Sequence, residues 1–284
     1  MLLYDYEVFF NKIVTNQSKI KLLKESRTLL VDTSYIINLI NNQNRKVIIT
    51  SNQAFLDNKT DQTLNFHVEN VVTFSAKKGE NIIYYRIYKE GNDELVKYWL
   101  SHTFLPILFT FEDIYYFLHA GAVEIDSKPI LFVADSFGGK STLTDFFIQK
   151  GHTMISDDKV GVYEDERGII AVPSYAYHRP YRKVEDLGYP VENFAKENRV
   201  IQAIFNLVKV DANESIKIEE VFGIEKFRIL KFSTEIDLPI NLKSRFEMLS
   251  KIANNVKLYN ISIPWDLNRL EEVYEKIVNF IKKD

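Results

Sequence analysis

The sequence predicts an α/β protein, and three observations carry the prediction. An apolar, strand-like run at 129–133 feeds into a glycine-containing loop, and the loop into a helical pattern. Residues 1–98 alternate β-type runs with polar turns. Residues 203–284 alternate strand and helix patterns and end in an amphipathic helix. Together they divide the chain into a β-rich N-terminal domain, 1–98, and a sheet-and-helix domain, 99–284.

In the N-terminal part, the strand candidates are 28–32, 46–50, 66–74 and 81–88, separated by turns such as Asn41-Asn42-Gln43-Asn44 and Asp57-Asn58-Lys59. The run Ile82-Ile83-Tyr84-Tyr85-Arg86-Ile87-Tyr88 is apolar on both faces apart from Arg86, as in a covered strand. No reaction motif lies here, and a packing or substrate-presenting lobe is the plain reading. Residues 93–117 read as helical, with Pro106 marking a kink or the junction of two helices.

The loop is Ala134-Asp135-Ser136-Phe137-Gly138-Gly139-Lys140-Ser141-Thr142, and after it Leu143, Phe146 and Phe147 share one helical face. Strand, glycine-containing loop, then Lys-Ser opening a helix is the setting of a P-loop. Backbone N–H groups of such a loop turn inward towards phosphate oxygens, and the helix start adds the positive end of its dipole. Lys140 would reach the β- and γ-phosphates of ATP, and the Ser141 hydroxyl would sit on Mg²⁺. Residues 135–142 are therefore the candidate nucleotide-binding segment. The motif G-x-x-x-x-G-K-[ST] asks for glycine where this chain has Ala134, at the strand exit, where a methyl fits if φ stays negative.

Gly151 ends the helix, and 152–156 reads as the next strand, finishing in Asp157-Asp158. Adjacent carboxylates at a strand end repel unless something cationic holds them. Beside a triphosphate, one can hold Mg²⁺ while the other takes a proton from an attacking hydroxyl. Further on, 161–172 reads as a hairpin turning at 164–168, and 203–210 as a strand. A short helix opens at Gly223, and 241–253 is an amphipathic helix with Phe246, Leu249 and Ile252 inward. Residues 256–263 form the last strand. Asp266 caps a terminal helix with Leu267, Leu270, Tyr274, Ile277 and Ile281 on one face.

Composition narrows the field. Hydrophobic content of 46% and charged content of 26% are globular values, and a net charge of −3 provides no electrostatic footprint for nucleic acid. The absence of cysteine excludes disulfides and thiolate metal sites; the five histidines are scattered, so zinc is not expected. Residues 1–10 lack a basic n-region and a long apolar run, and no stretch reaches the 18 or more apolar residues of a membrane span, so a cytoplasmic protein is expected.

Four motifs fall in an order that resembles HPr kinase/phosphorylase: Leu118-His119-Ala120-Gly121-Ala122, the loop at 134–142, Lys150-Gly151-His152, and Ser156-Asp157-Asp158-Lys159-Val160. The kinase domain of that family carries a His-Gly segment, a loop of the form G-D-S-G-x-G-K-S, an R-G-H and an A-D-D-x-V. The likeness runs from about residue 101 to the end, and is to the wider HPr kinase-like group rather than to the sugar-regulating enzyme. Ala134 and Phe137-Gly138 depart from the family loop, and the later E-V-R-G-x-G-I run is not found, which removes the ground for a phosphorylase half-reaction or for HPr as substrate.

The resemblance implies a P-loop core of the PEP carboxykinase-like kind. It also implies ATP-dependent phosphoryl transfer to a serine hydroxyl of a peptide or protein, such as the precursor of a modified peptide. A homo-oligomer is admitted, since the family often assembles. It places His119 at the family's active-site histidine, whereas a lone histidine beside apolar residues otherwise reads as core. His152, at a helix–strand junction, reads as structural. Arg179 and Arg182, in the segment after Pro173, are candidates for stabilising charge on the transferring phosphoryl; an exposed basic loop is the other reading. Mg²⁺ falls to Ser141 and Asp158, and the proton to Asp157 or its neighbour. Two further functions stay open: a small-molecule kinase acting on free serine, and a nucleotide-binding regulator without transfer, which Ala134 and Phe137 allow.

Overall fold

The computed structural model describes residues 2–4, 6–10, 19–25, 35–42, 45–55, 61–135, 137–180, 183 and 185–283. The architecture is mixed α/β with several sheets. It divides into two compact units, the first made of Met1–Tyr116, Arg182–Leu187 and Ile236–Arg245, the second of Phe117–Tyr181, Gly188–Glu235 and Phe246–Asp284.

The first unit is built on an eight-stranded sheet of β1 (Leu2–Leu3), β2 (Tyr6–Phe10), β3 (Lys19–Lys24), β4 (Tyr35–Asn42), β5 (Arg45–Ser51), β6 (Thr63–Val68), β7 (Val72–Lys77) and β8 (Ile82–Ile87), in the order β1-β2-β3-β8-β7-β6-β5-β4. The strand expected at 66–74 is a hairpin instead: β6 ends at Val68, Asn70 turns at φ +61°, and Val72 begins β7. Apolar residues flank this turn on both sides and mask it, and asparagine is among the few residues that enter the left-handed region readily. The strand expected at 28–32 lies outside the described residues.

Helix α1 (Asp93–Trp99) starts on an Asn92 side chain that accepts from the Leu95 N–H. A π-turn (Leu100–Phe104) and α2 (Leu105–Phe111) follow, and Pro106 sits in the first turn of α2, where its missing N–H costs least. Every residue of α2 is buried, as an all-round apolar sequence requires. The helical reading of 93–117 runs too far. Asp113, at φ +61°, closes α2: its N–H bonds to Thr110 O at 3.2 Å and the Ile114 N–H to Phe109 O at 2.9 Å, the two bonds of a Schellman motif. Nothing in the local periodicity announces an aspartate in a role that glycine usually fills. Rings from sheet and helices make the core of this unit, with Phe74 stacked on Phe104 at 5.0 Å.

The second unit contains β10 (Gly121–Ile125), β11 (Lys128–Val133), α3 (Lys140–Gln149), β12 (Thr153–Ser156), β13 (Lys159–Asp165), β14 (Gly168–Val172), β15 (Tyr177–His178), β16 (Tyr189–Pro190), β17 (Arg199–Val200), β18 (Ala203–Val210), β19 (Ile218–Glu220), α4 (Gly223–Phe232), β20 (Lys257–Pro264) and α6 (Leu270–Lys283); β9 (Tyr116–His119) and α5 (Leu242–Asn255) begin in the first unit and continue into the second. A six-stranded sheet runs β12-β10-β11-β18-β20-β19, and a four-stranded one β17-β14-β13-β9. Leu143 and Phe147 of α3 and Val273, Ile277 and Ile281 of α6 close one core with Phe132, Phe205 and Ile261 of the larger sheet.

Two residues expected to face inward do not. Phe246 and Leu267 are exposed, while Leu249 and Ile252 of α5 are buried as the periodicity implies. Leu267 belongs to a 3-10 turn capped by Asp266, whose side chain accepts from the Asn268 N–H; this turn precedes α6 and breaks its register. No helix among the described residues is long and apolar enough to cross a membrane.

Candidate active site

Register alone brings the sequence motifs together. Strand β10 lies between β11 and β12 and runs antiparallel to both, with Gly121 opposite Phe132 and Ala122 opposite Ser156. The exits of β11 and β12 therefore flank the entrance of β10 at one edge of the sheet. Ala134 leaves on one side, Asp157 leaves on the other about two strand spacings away, roughly 10 Å, and His119 and Ala120 enter between them. Ala120 N–H donates to Asp158 O at 3.2 Å, fastening the β10 entrance to the β12 exit. β18 runs parallel to β11, with Asn206 beside Val133. This carboxyl edge of parallel strands is where open α/β sheets hold ligands.

The loop has a compact geometry. Gly138 N–H closes a turn on Asp135 O at 2.9 Å, and Gly139, at φ +89° and ψ 2°, is the left-handed N-cap of α3. Ala134, in the first position of the motif, is tolerated because the methyl is met by a glycine. A Cβ on Gly138 would come within 2.7 Å of Ala134 Cβ and 2.8 Å of Asp135 O. Phe137 is 83% exposed with φ +60°, a backbone state that bulky residues rarely hold, while Asp135 is exposed. Lys140 is 5% exposed, and its Nζ donates to Ala134 O at 2.9 Å, so the ammonium folds back beneath the loop. Ser141 is partly buried and Thr142 exposed. Ser136 and Arg182 lie outside the described residues.

The paired aspartates have different surroundings. Asp157 is 4% exposed; its Oδ2 accepts the Arg179 N–H at 2.8 Å and lies 3.0 Å from His178 Nδ1. His178 is fully buried, its Nε2 3.5 Å from Asp145 Oδ1 on α3. Asp158, at φ +71°, is more open. Its Oδ1 is 3.2 Å from His119 Nδ1 and its Oδ2 is 3.8 Å from an Arg179 guanidinium nitrogen.

His119 Nδ1 is also 3.1 Å from Glu235 Oε2, and Glu235 Oε1 is 2.7 Å from Lys159 Nζ. Burial by itself would raise the Glu235 carboxyl, but the Lys159 ammonium and the His119 imidazole bring it down to about 2. His119, Lys140, Asp157, Asp158 and Arg179 thus gather at or behind one sheet edge. His152 lies elsewhere, with Nδ1 3.1 Å from Glu124 O and Nε2 3.0 Å from the Tyr274 hydroxyl.

Sequence reasoning missed Glu235, His178, Lys159 and Asp145. Lys159 and His178 stand beside residues it chose, and their adjacency to Asp158 and Arg179 was the available signal. Glu235, on an irregular stretch far along the chain from His119, offered none.

The donor set suits a magnesium–phosphate ligand. It combines the N-terminus of α3 behind a left-handed Gly139, a lysine held at the loop, and a hydroxyl and carboxylate at Ser141 and Asp158; Mg²⁺ takes one or two carboxylates and completes its shell with phosphate oxygens and water. Among the described residues no group of three His, Asp or Glu side chains forms a metal cage on its own.

No family model matches this sequence, and comparison with curated proteins finds no match. Among solved structures, the Hpr(Ser) kinase/phosphatase from Coxiella burnetii is similar over 59% of this chain and 97% of that chain, at 14% identity and a TM-score of 0.37. A likeness of that grade carries no inference about residues or reaction.

Proposed function

We propose that this chain is an ATP-dependent phosphotransferase that moves the γ-phosphoryl group to a serine hydroxyl of a peptide or protein, for which the precursor of a modified peptide is a fitting class. One observation carries the reading. The buried Lys140 under the glycine turn follows β11 and the Asp157-Asp158 pair follows β12, the two strands that flank β10 at one sheet edge, with His119 entering between them.

In this reading the loop amides and Lys140 hold the β- and γ-phosphates. Asp157 receives the proton of the serine hydroxyl. Its described contacts both fall on Oδ2, which leaves Oδ1 for the substrate. The serine oxygen attacks the γ-phosphorus, the bond from that phosphorus to the bridging oxygen breaks, and ADP leaves with the electron pair. Arg179 neutralises charge on the phosphoryl oxygens in flight. His119, shared between Asp158 and Glu235, keeps Asp158 in place. Mg²⁺, held by Ser141 and Asp158, would supply further charge neutralisation at the phosphates.

The test is transfer of γ-labelled phosphate from ATP to serine-containing peptides, with Asp157→Asn as control. Transfer lost in that variant, with ATP affinity retained, is the expected result. A purified chain with no affinity for any purine triphosphate in the presence of magnesium or manganese would overturn the proposal.

A further inference from the structure

Strands β18 and β20 do not stop where β11 stops. Val133, the last residue of β11, pairs with Asn206, and Asn206 with Asn260, yet the β18–β20 ladder continues to Val210 and Pro264. Four more residues on each strand give an overhang of about 13 Å beyond the exit of β11. The overhang stands beside the loop and the first turn of α3. Between them lies a cavity of about 230 Å³, walled by Leu207, Ile263, Pro264, Trp265, Leu267 and Leu270. Gly139, Thr142 and Leu143 of the loop–helix junction, with Val273 and one carboxylate, Asp266, complete its lining.

Trp265 is a large apolar side chain left 47% exposed at this mouth. Its backbone is fixed, the main-chain N–H donating to Val210 O at 3.1 Å, and its ring is covered by Lys209 Nζ, 4.0 Å from the centroid. A Cβ built on Gly139 would be 3.7 Å from Trp265 Cζ3, so indole and loop glycine stand almost in contact. A pocket with apolar walls, a fixed aromatic edge and few polar groups is shaped for a flat, weakly polar ring. Its continuity with the loop through Gly139 says which ring: one carried by the molecule whose phosphates occupy the loop.

We infer that this cavity is the nucleobase subsite, taking the purine of a nucleoside triphosphate against Trp265 while its phosphates lie across the start of α3. The inference rests on the nucleotide reading above and adds to it where the base goes and what holds it. On this arrangement the base supplies affinity that the phosphate loop alone does not, and Trp265 is the side chain through which it is supplied.

Calorimetric titrations of ATP and of inorganic tripolyphosphate, both with magnesium, into the wild-type chain and Trp265→Ala separate the possibilities. The wild type is expected to bind ATP at least about ten-fold more tightly than tripolyphosphate, and Trp265→Ala to erase most of that difference while leaving tripolyphosphate unchanged. A second measurement needs no variant. Of the two tryptophans, Trp99 is buried, so acrylamide quenching reports chiefly on Trp265. ATP should shield that emission and tripolyphosphate should not. Equal wild-type affinity for the two ligands, or quenching indifferent to ATP, overturns the subsite and leaves the phosphate loop standing. Binding of neither ligand removes the nucleotide reading itself, and the subsite with it.

Discussion

Both compact units bury polar side chains, but they use them differently. In the first, side-chain amides donate to backbone carbonyls, near in sequence at Gln62 and far at the half-buried Asn241. Gln62 Nε2 donates to Gln53 O at 3.1 Å and Ala54 O at 3.3 Å, and Asn241 Nδ2 donates to Thr110 O and Phe111 O at the end of α2. Each closes a turn or a helix end and leaves its surroundings apolar. In the second unit, buried Lys140, Asp157 and His178 come from separate elements and lie at one sheet edge, with Asp157 and His178 in contact at 3.0 Å. Burial without convergence is a packing device. Burial with convergence maintains charges in a low-dielectric setting where each is felt strongly, which is the condition for chemistry.

The contrast can be broken most directly at Lys140. Lys140→Ala is expected to lower phosphoryl transfer by about a thousand-fold while the melting temperature moves little, measured by transfer assay and calorimetry on the same preparation. A large loss of stability with transfer intact would make this lysine a packing residue like those of the first unit. Glu235→Gln comes next, at about 3 kcal/mol in urea unfolding, because it removes the anion that Lys159 and His119 share.

The pH dependence has a definite sign. Glu235 is held below its ordinary 4.5, at about 2, so its contribution is complete above pH 4.5 and is lost as pH falls towards 2. The gap between wild type and Glu235→Gln should close over that interval. Equal gaps at pH 6 and pH 3 would sink the account of the ion cluster.

Gly138→Ala is a finer probe, since the added methyl meets Ala134 at 2.7 Å. Nucleotide affinity should fall about ten-fold and return only in part in the double variant Ala134→Gly, Gly138→Ala, because the contact with Asp135 O at 2.8 Å stays, as read by titration calorimetry. Smallest of all, Gln62→Ala should cost about 1 kcal/mol of stability and leave nucleotide binding unchanged; a change in binding there would blur the distinction between the units.

How far the sequence was legible follows the same line. The strand–loop–helix at 129–149 could be read because everything that defines it is contiguous: an apolar run, glycines at the turn, Lys-Ser at the helix start. The joint between Asp157-Asp158 and His119 was readable only through motif order, since it depends on β10 pairing with both flanking strands. Glu235 was not readable at all. An acidic residue on a bend has no periodicity, and its role exists only once the fold places it beside His119 and Lys159. The Asn70 turn and the Asp113 helix stop were hidden for the opposite reason: each uses a left-handed conformation on a residue that composition does not flag. Phe246 and Leu267 show the limit of helical periodicity, which finds a stripe but not where the stripe ends.

Gly121 has a mechanical consequence. A side chain there would strike Thr144 Oγ1, only 2.0 Å from where its first carbon would stand, so α3 rests on β10 with a single hydrogen as the spacer. The glycine follows His119 by two residues, and the helix it seats begins at Lys140. Imidazole and ammonium therefore share one foundation, and any change that lifts the helix tilts both side chains together, however far it lies from either.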